Sequence, residues 1–323
     1  MLSLISPARQ AWHALLDLDL PVMSPSCMKI LLQTFALVIL LASTARIALG
    51  SATTDSIVIT PAHLQNGSPC LITVALQTEA VTVIGRWQGR KVAFFPSQSR
   101  KIWYALTGVD VEVSPGTYPL TIEAEFRDGP QKTLHRDIAV GVAPYAKVTL
   151  HVPDRFVEPD AEALKQIAAD KIVKDAAFAD TAPAPQWSGD FLPPLQMAPQ
   201  SDSFGTRRVF NGKVASVHRG LDFHAKTGTK VAAINSGRVV LAAPLYFEGG
   251  CVVIDHGLGL MSVYMHLSKI EVAVGDTVTR GHVIALSGGS GRATGPHLHL
   301  GVRWQGSYLD PAKLFALSLP QSH

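Results

Sequence analysis

His218-Arg219-Gly220-Leu221-Asp222-Phe223 opens a stretch that Gly295-Pro296-His297-Leu298-His299-Leu300 closes, with Tyr264-Met265-His266-Leu267 between them. Seven of the chain's 12 histidines lie in it: His218, His224, His256, His266, His282, His297 and His299. Short apolar runs recur across the same stretch. Lys230-Val231-Ala232-Ala233-Ile234, Arg238-Val239-Val240-Leu241, Cys251–Asp255, Leu260–His266 and Pro296–Trp304 read as strands, with glycines at the corners between several of them. Asn235-Ser236-Gly237 reads as a hairpin turn between the first two runs. Many short antiparallel strands predict a compact, folded-over β-sheet with a groove on one face, spanning residues 203–317.

The histidines give that groove its chemistry. A catalytic zinc takes three protein ligands of histidine or carboxylate type and keeps one position open. His218 and Asp222 are four apart. His297 and His299 are two apart on a strand, so both side chains point to one face. His266 comes from a separate strand. Together they predict a metal site with catalytic groups beside it. Spacing alone does not assign the roles, and His224, which shares the parity of Asp222, competes as a ligand. HExxH is absent, which removes the commonest zinc-peptidase pattern. CxxC is absent too, which excludes a cysteine-based zinc site. His256 reads as a turn histidine, His282 as exposed beside a corner, and Arg292 and Arg303 as solvated surface charge, with contact to substrate carboxylates as the alternative for both arginines.

The rest of the chain frames this region. Its 323 residues, 47% hydrophobic and 16% charged, suit two globular domains and exclude a disordered chain. The net charge of +3 comes with no long Lys/Arg run, so no nucleic-acid partner is expected. Residues 53–155 predict an immunoglobulin-like β-sandwich. Leu120, Ile122, Ala124 and Phe126 alternate with polar neighbours, and further short strands follow up to Val152. Residues 156–202 predict a helix, about Pro159 to Phe178, and then a proline-rich linker. Trp187 and Phe191 inside the linker argue for a packed strap, one that would regulate access if it lay near the groove. Residues 1–52 read as a leader whose true start could be Met28. Lys29, the apolar run from Ile30 to Ala42 and the small residues up to Ala52 have the layout of a secretory signal, with a retained membrane anchor as the alternative. Cys70 and Cys251 are expected as two separate buried thiols.

The quoted motifs resemble the lysostaphin/LytM-type peptidoglycan metalloendopeptidases, which carry HxxxD, a Tyr-x-His-Leu element and HxH in this order. The resemblance covers about Phe204 to Pro311. It implies that His218, Asp222 and His299 hold Zn2+, and that His266 and His297 are catalytic histidines outside the ligand set. It also implies an exported enzyme of the periplasm or cell envelope that hydrolyses peptide cross-links of bacterial peptidoglycan. The first domain would serve positioning, substrate contact or contact with an envelope protein partner, and its sequence does not choose among them. The alternative is a non-catalytic wall-binding or amidase-activating module on the same fold. One departure is Gly301, where many members carry an acidic residue. Another is Met265, often a small residue in such proteins.

Overall fold

The computed structural model describes residues 54–195, 200–202, 204–212 and 214–321, without the side chains at 200–202, 214 and 215. The expected leader, residues 1–52, lies outside the described residues. Among the described residues no helix is long and apolar enough to cross a membrane.

Leu120, Ile122 and Ala124 are fully buried while their alternating neighbours are not, as a half-buried strand requires. That strand belongs to the first of two strand sets. Strands β1 (Ser56–Thr60), β2 (Leu64–Gln65), β3 (Pro69–Ala75), β4 (Ala80–Trp87), β5 (Arg90–Ala93), β6 (Phe95–Pro96), β7 (Ile102–Gly108), β8 (Gly116–Phe126) and β9 (Lys132–Gly141) form two sheets. Their orders are β1-β3-β7-β6 and β2-β9-β8-β4-β5. Ile72 and Val74 of one sheet share a core with Leu120 and Ile122 of the other.

Strand β10 (Lys147–Leu150) follows but does not join them. It pairs in parallel with β12 (Arg207–Phe210), which pairs with β13 (Val214–Val217). Strand β11 (Gln200–Asp202) instead edges the large sheet. That sheet continues through β14 (Leu221–His224), β15 (Lys230–Ala232), β16 (Gly237–Leu245), β17 (Gly249–Gly257), β18 (Leu260–Ile270), β19 (Thr277–Val278), β20 (Val283–Ser287), β21 (His297–Trp304) and β22 (Ser307–Leu309). It has ten strands with the central order β11-β14-β21-β18-β17-β16-β19. The expected hairpin at Asn235-Ser236-Gly237 does not form: β15 pairs with β20, and β16 with β17 and β19. The turn residue Asn235 is fully buried instead, donating to the carbonyls of Gly189 and Asp190 and accepting from Ser188 N–H.

Helix α1 (Ala161–Ala179) starts two residues later than Pro159. Asp160 is its cap, accepting from Ala163 N–H at 2.8 Å. Leu164, Ile167, Ala168 and Ile172 fall near 3.6-residue spacing, yet this apolar stripe faces outward, with Leu164 55% and Ile172 71% exposed. A polar anchor chooses the inward face: buried Asp170 accepts from Tyr246 N–H at 2.6 Å and from Gln166 at 2.7 Å. Ala177 and Phe178 then pack on Val253, Met261 and Val263 of the large sheet.

The strap lies on the opposite face of that sheet. Trp187 packs edge-on against Phe95 of the first strand set, and Phe191 edge-on against His256. Both are 1% exposed. Around Trp187 and Phe191 the strap is therefore a core element joining the two strand sets, away from the groove. The groove-side element is α1. Residues 52–323 form one compact unit, which helix α2 (Pro311–Phe315) closes at its C-terminal end. Cys70 and Cys251 are unpaired and buried, as expected, and burial pushes both thiols up.

Candidate active site

Register brings the motifs together. Asp222 on β14 lies opposite His299 on β21, and His299 lies opposite Met265 on β18. Directly opposed residues share a face, so Asp222, His297, His299 and Met265 all look into one cleft. His218, just before β14, closes the group. Its Nε2 lies 3.1 Å from Asp222 Oδ1 and 3.0 Å from His299 Nδ1, and His299 Nδ1 lies 2.8 Å from Asp222 Oδ1.

These three atoms are crowded: if both rings donate to the one carboxylate oxygen, their two N–H groups converge on a single acceptor. A cation among them resolves this. Tetrahedral bonds of about 2.0–2.1 Å give ligand-to-ligand edges of about 3.3 Å, near the observed separations. His218, Asp222 and His299 could thus hold a metal ion. Burial works against the Asp222 carboxylate, but the bonds from His218 and His299 hold it well below the usual carboxylate range. Burial lowers His299 against the opposing pull of Asp222, which favours the neutral ring a metal needs. Arg208 on β12 donates to the second oxygen, Asp222 Oδ2, at 2.5 Å and so orients the carboxylate.

Alternation would point His266 away from the cleft, alongside Tyr264. Its backbone adopts a left-handed φ of 62°, which breaks the alternation. Such a conformation costs a non-glycine residue about 1–3 kcal/mol and clusters at functional sites. The ring then lies 4.6 Å from that of His297, centroid to centroid. His266 Nδ1–H donates to Ser290 O at 2.8 Å, and His297 Nδ1–H donates to Gly295 O at 2.8 Å. Both rings therefore present Nε2 as a lone pair. His297 Nε2 lies 3.9 Å from Asp222 Oδ1. Burial, with His297 and His299 adding to it, pushes His266 down to about 3.

The cleft encloses about 270 Å³ and contains all five residues that the resemblance singles out. The other histidines stand apart. His224 and His282 are exposed on the surface. His256 is not a turn histidine: it is fully buried at the end of β17. Arg292 is half-buried between two rings, contrary to the expected solvated charge. Arg303 stacks over Phe178 of α1 at 4.1 Å. Gly301 has room for a small side chain, with Arg219 O 3.5 Å and Val263 Cβ 3.6 Å from an added Cβ. Arg208 and Ser290 escaped the sequence reading. Arg208 sits outside every motif. Ser290 had a signal in its glycine-rich setting, Gly288-Gly289-Ser290-Gly291, where backbone groups come close to neighbours.

Known proteins are similar to this chain over the same region. Residues 216–311 match Peptidase family M23. Over 100 residues the chain is 45% identical to the peptidoglycan DD-endopeptidase ShyA of Vibrio cholerae serotype O1, covering 31% of this chain and 23% of that protein. Over 131 residues it is 34% identical to ShyC, a peptidoglycan DD-endopeptidase of the same organism, covering 40% and 29%. The chain thus spans less than a third of the length of these curated relatives. A solved Pseudomonas aeruginosa structure assigned to peptidase M23 superposes with a TM-score of 0.59 at 27% identity, over 78% of this chain and 94% of that one. Residues 216–311 are thus a peptidase M23 domain, similar to those of the LytM-type metallopeptidases.

Proposed function

We propose that this chain is an exported zinc metalloendopeptidase that hydrolyses peptide cross-links of bacterial peptidoglycan. The observation that carries the reading is the converging trio of His218 Nε2, His299 Nδ1 and Asp222 Oδ1 beside two histidines whose lone pairs face the same cleft. The names of the relatives support the substrate class. In the same reading, the first strand set is immunoglobulin-like. Its sheet orders support this, as does Tyr118, whose hydroxyl donates to Ser114 O at 2.7 Å like a tyrosine corner.

Zinc would be held by His218, Asp222 and His299, and it supplies a Lewis acid that lowers the pKa of a water from 15.7 to about 7. The chain's own groups do the rest. Arg208 keeps the Asp222 carboxylate turned toward the trio. His297, fixed by the Gly295 carbonyl with Nε2 in the cleft, takes a proton from the attacking water and returns it to the leaving nitrogen. His266, kept neutral, accepts a hydrogen bond through Nε2 and orients the groups at the scissile amide. Histidine suits this work because its unperturbed pKa, about 6.5, is near working pH.

His218→Ala and His297→Ala separate the roles. His218→Ala is expected to lose bound zinc, measured by metal analysis. His297→Ala is expected to keep zinc and lose at least 100-fold in digestion of purified peptidoglycan, the scale of general acid–base contributions, roughly 10²–10⁴. Wild-type protein that binds the wall without zinc and without cleavage would favour the wall-binding alternative.

A further inference from the structure

Arg292 faces the cleft with two aromatic rings around it and no hydrogen-bonded anion. Its guanidinium carbon lies 4.8 Å from the centre of the Phe210 ring and 4.6 Å from that of Phe247. Its backbone N–H is tied to Phe247 O at 2.8 Å. Three separate segments, β12, the β16–β17 turn and the loop before β21, thus hold the head group in place. Among the described residues, no acceptor takes a hydrogen bond from that head group.

The carboxylates lining the same cleft are already engaged. Asp222 is bonded by Arg208, His218 and His299. Glu248 is paired with Lys174 of α1 through Oε1, and its buried Oε2 takes no hydrogen bond from Arg292 or any other group among the described residues. Burial pushes the Arg292 guanidinium down, Glu248 opposes this, and Arg208 adds to it. A half-buried cation without an acceptor is costly, and stacking on rings offsets that cost only in part. The group that would complete the site is planar, negative and able to take two parallel N–H bonds, which describes a carboxylate.

We propose that Arg292 reads a free carboxylate on the substrate peptide. The cleft would then favour cross-links in which a residue adjoining the scissile amide carries a carboxylate, as a diaminopimelate-type bridge does, over amidated or all-glycine bridges. This rests on the peptidoglycan reading above and makes Arg292 a specificity residue. It touches the substrate away from the reacting bond and leaves proton transfer to His297.

The test uses the full chain and a pair of synthetic cross-linked stem peptides, identical except that one carries the carboxylate beside the scissile amide and the other its carboxamide. Calorimetric binding to chelator-treated protein gives a readout independent of turnover. The carboxylate form is expected to bind at least ten-fold tighter than the carboxamide. Arg292→Met should erase that difference and leave carboxamide binding unchanged, which also reports an intact cleft. Should Arg292→Met fail to fold, Arg292→Lys replaces it, because an ammonium keeps the charge but cannot offer the bidentate pair. It should lose most of the preference. Equal binding of both peptides by the wild type, or a full preference that survives either variant, overturns the proposal. Hydrolysis of the same pair by the zinc-loaded chain separates the two readings. Arg292-dependent binding without cleavage overturns the peptidase reading alone. Cleavage with no dependence on Arg292 overturns this inference alone.

Discussion

Gly220, in the middle of the first motif, is a glycine for lack of space. A Cβ there would sit 2.3 Å from His299 Nε2 and 2.5 Å from Leu300 O. The bare backbone lets β21 bring its second histidine up to the trio. Gly220→Ala is therefore expected to push the His299 ring aside and lower zinc affinity about 10- to 100-fold, the range for groups that support a metal ligand. Competition with a chromophoric chelator measures it, and unchanged affinity would mean that β21 shifts freely. At this scale the site was largely legible. His218, Asp222, His297 and His299 converge because two-residue parity on a strand survives folding. His266 is different. Parity places it on the wrong face, and only its left-handed backbone, supported by the N–H bond to Glu248 O at 2.8 Å, turns it inward. No sequence pattern announces that. Arg208 was illegible for another reason: an arginine in an ordinary strand meets Asp222 only once β12 is laid over β14.

Among the elements, β17 and β18 carry a polar line through the back of the large sheet. His256 Nδ1–H donates to Ser236 O at 2.8 Å, so Nε2 accepts from the Ser262 hydroxyl at 2.8 Å. Tyr264 Oη lies 3.2 Å from Ser262 Oγ and accepts from Ile234 N–H at 2.9 Å. The motif tyrosine is thus a buried brace outside the cleft. Burial lowers His256 to about 4 from 6.5. Because the folded value lies below the unfolded one, the unfolded chain binds more protons between the two. Stability is whole above pH 6.5 and falls as pH drops toward 4, by up to about 3 kcal/mol. Urea unfolding at pH 7.5 and 4.5, with chelator present, should show this loss in the wild type and a smaller one in His256→Gln, which stays neutral. Equal losses would assign the effect to other groups. The strands themselves were readable from alternation and glycine corners, but two local signals misled. Asn235-Ser236-Gly237 has hairpin chemistry, yet the side chain of Asn235 is used to anchor the strap. The apolar stripe of α1 has the right period, yet the hydrogen bonds of Asp170 turn it to solvent.

For the whole molecule, the large sheet is covered on both faces by a single run of chain. α1 crosses the cleft-bearing face, and the strap returns across the back, where Trp187 and Phe191 fill the space between the two strand sets. The sets also meet beyond the strap: Tyr308 N–H donates to Asp110 Oδ2 at 2.7 Å, and Asp310 N–H to Gly67 O at 2.8 Å. Trp187→Ala is expected to cost about 3–5 kcal/mol, the range for emptying a large aromatic site, while turnover below the melting transition stays near wild type. Calorimetric melting and a wall-digestion assay check the two halves of that statement. The sequence marked Trp187 and Phe191 as packing residues but could not say against what, since the partner face is assembled from strands far apart in the chain. The arrangement bears on any attempt to shorten the chain. Starting the chain at residue 203, where the motif-bearing part begins, would strip the lid from Ile234 and the neighbouring back-face apolar groups and leave a sticky plane in search of other copies. Light scattering should find such a fragment clumped, and the remedy is to repaint the back of the sheet with polar residues before shortening the chain.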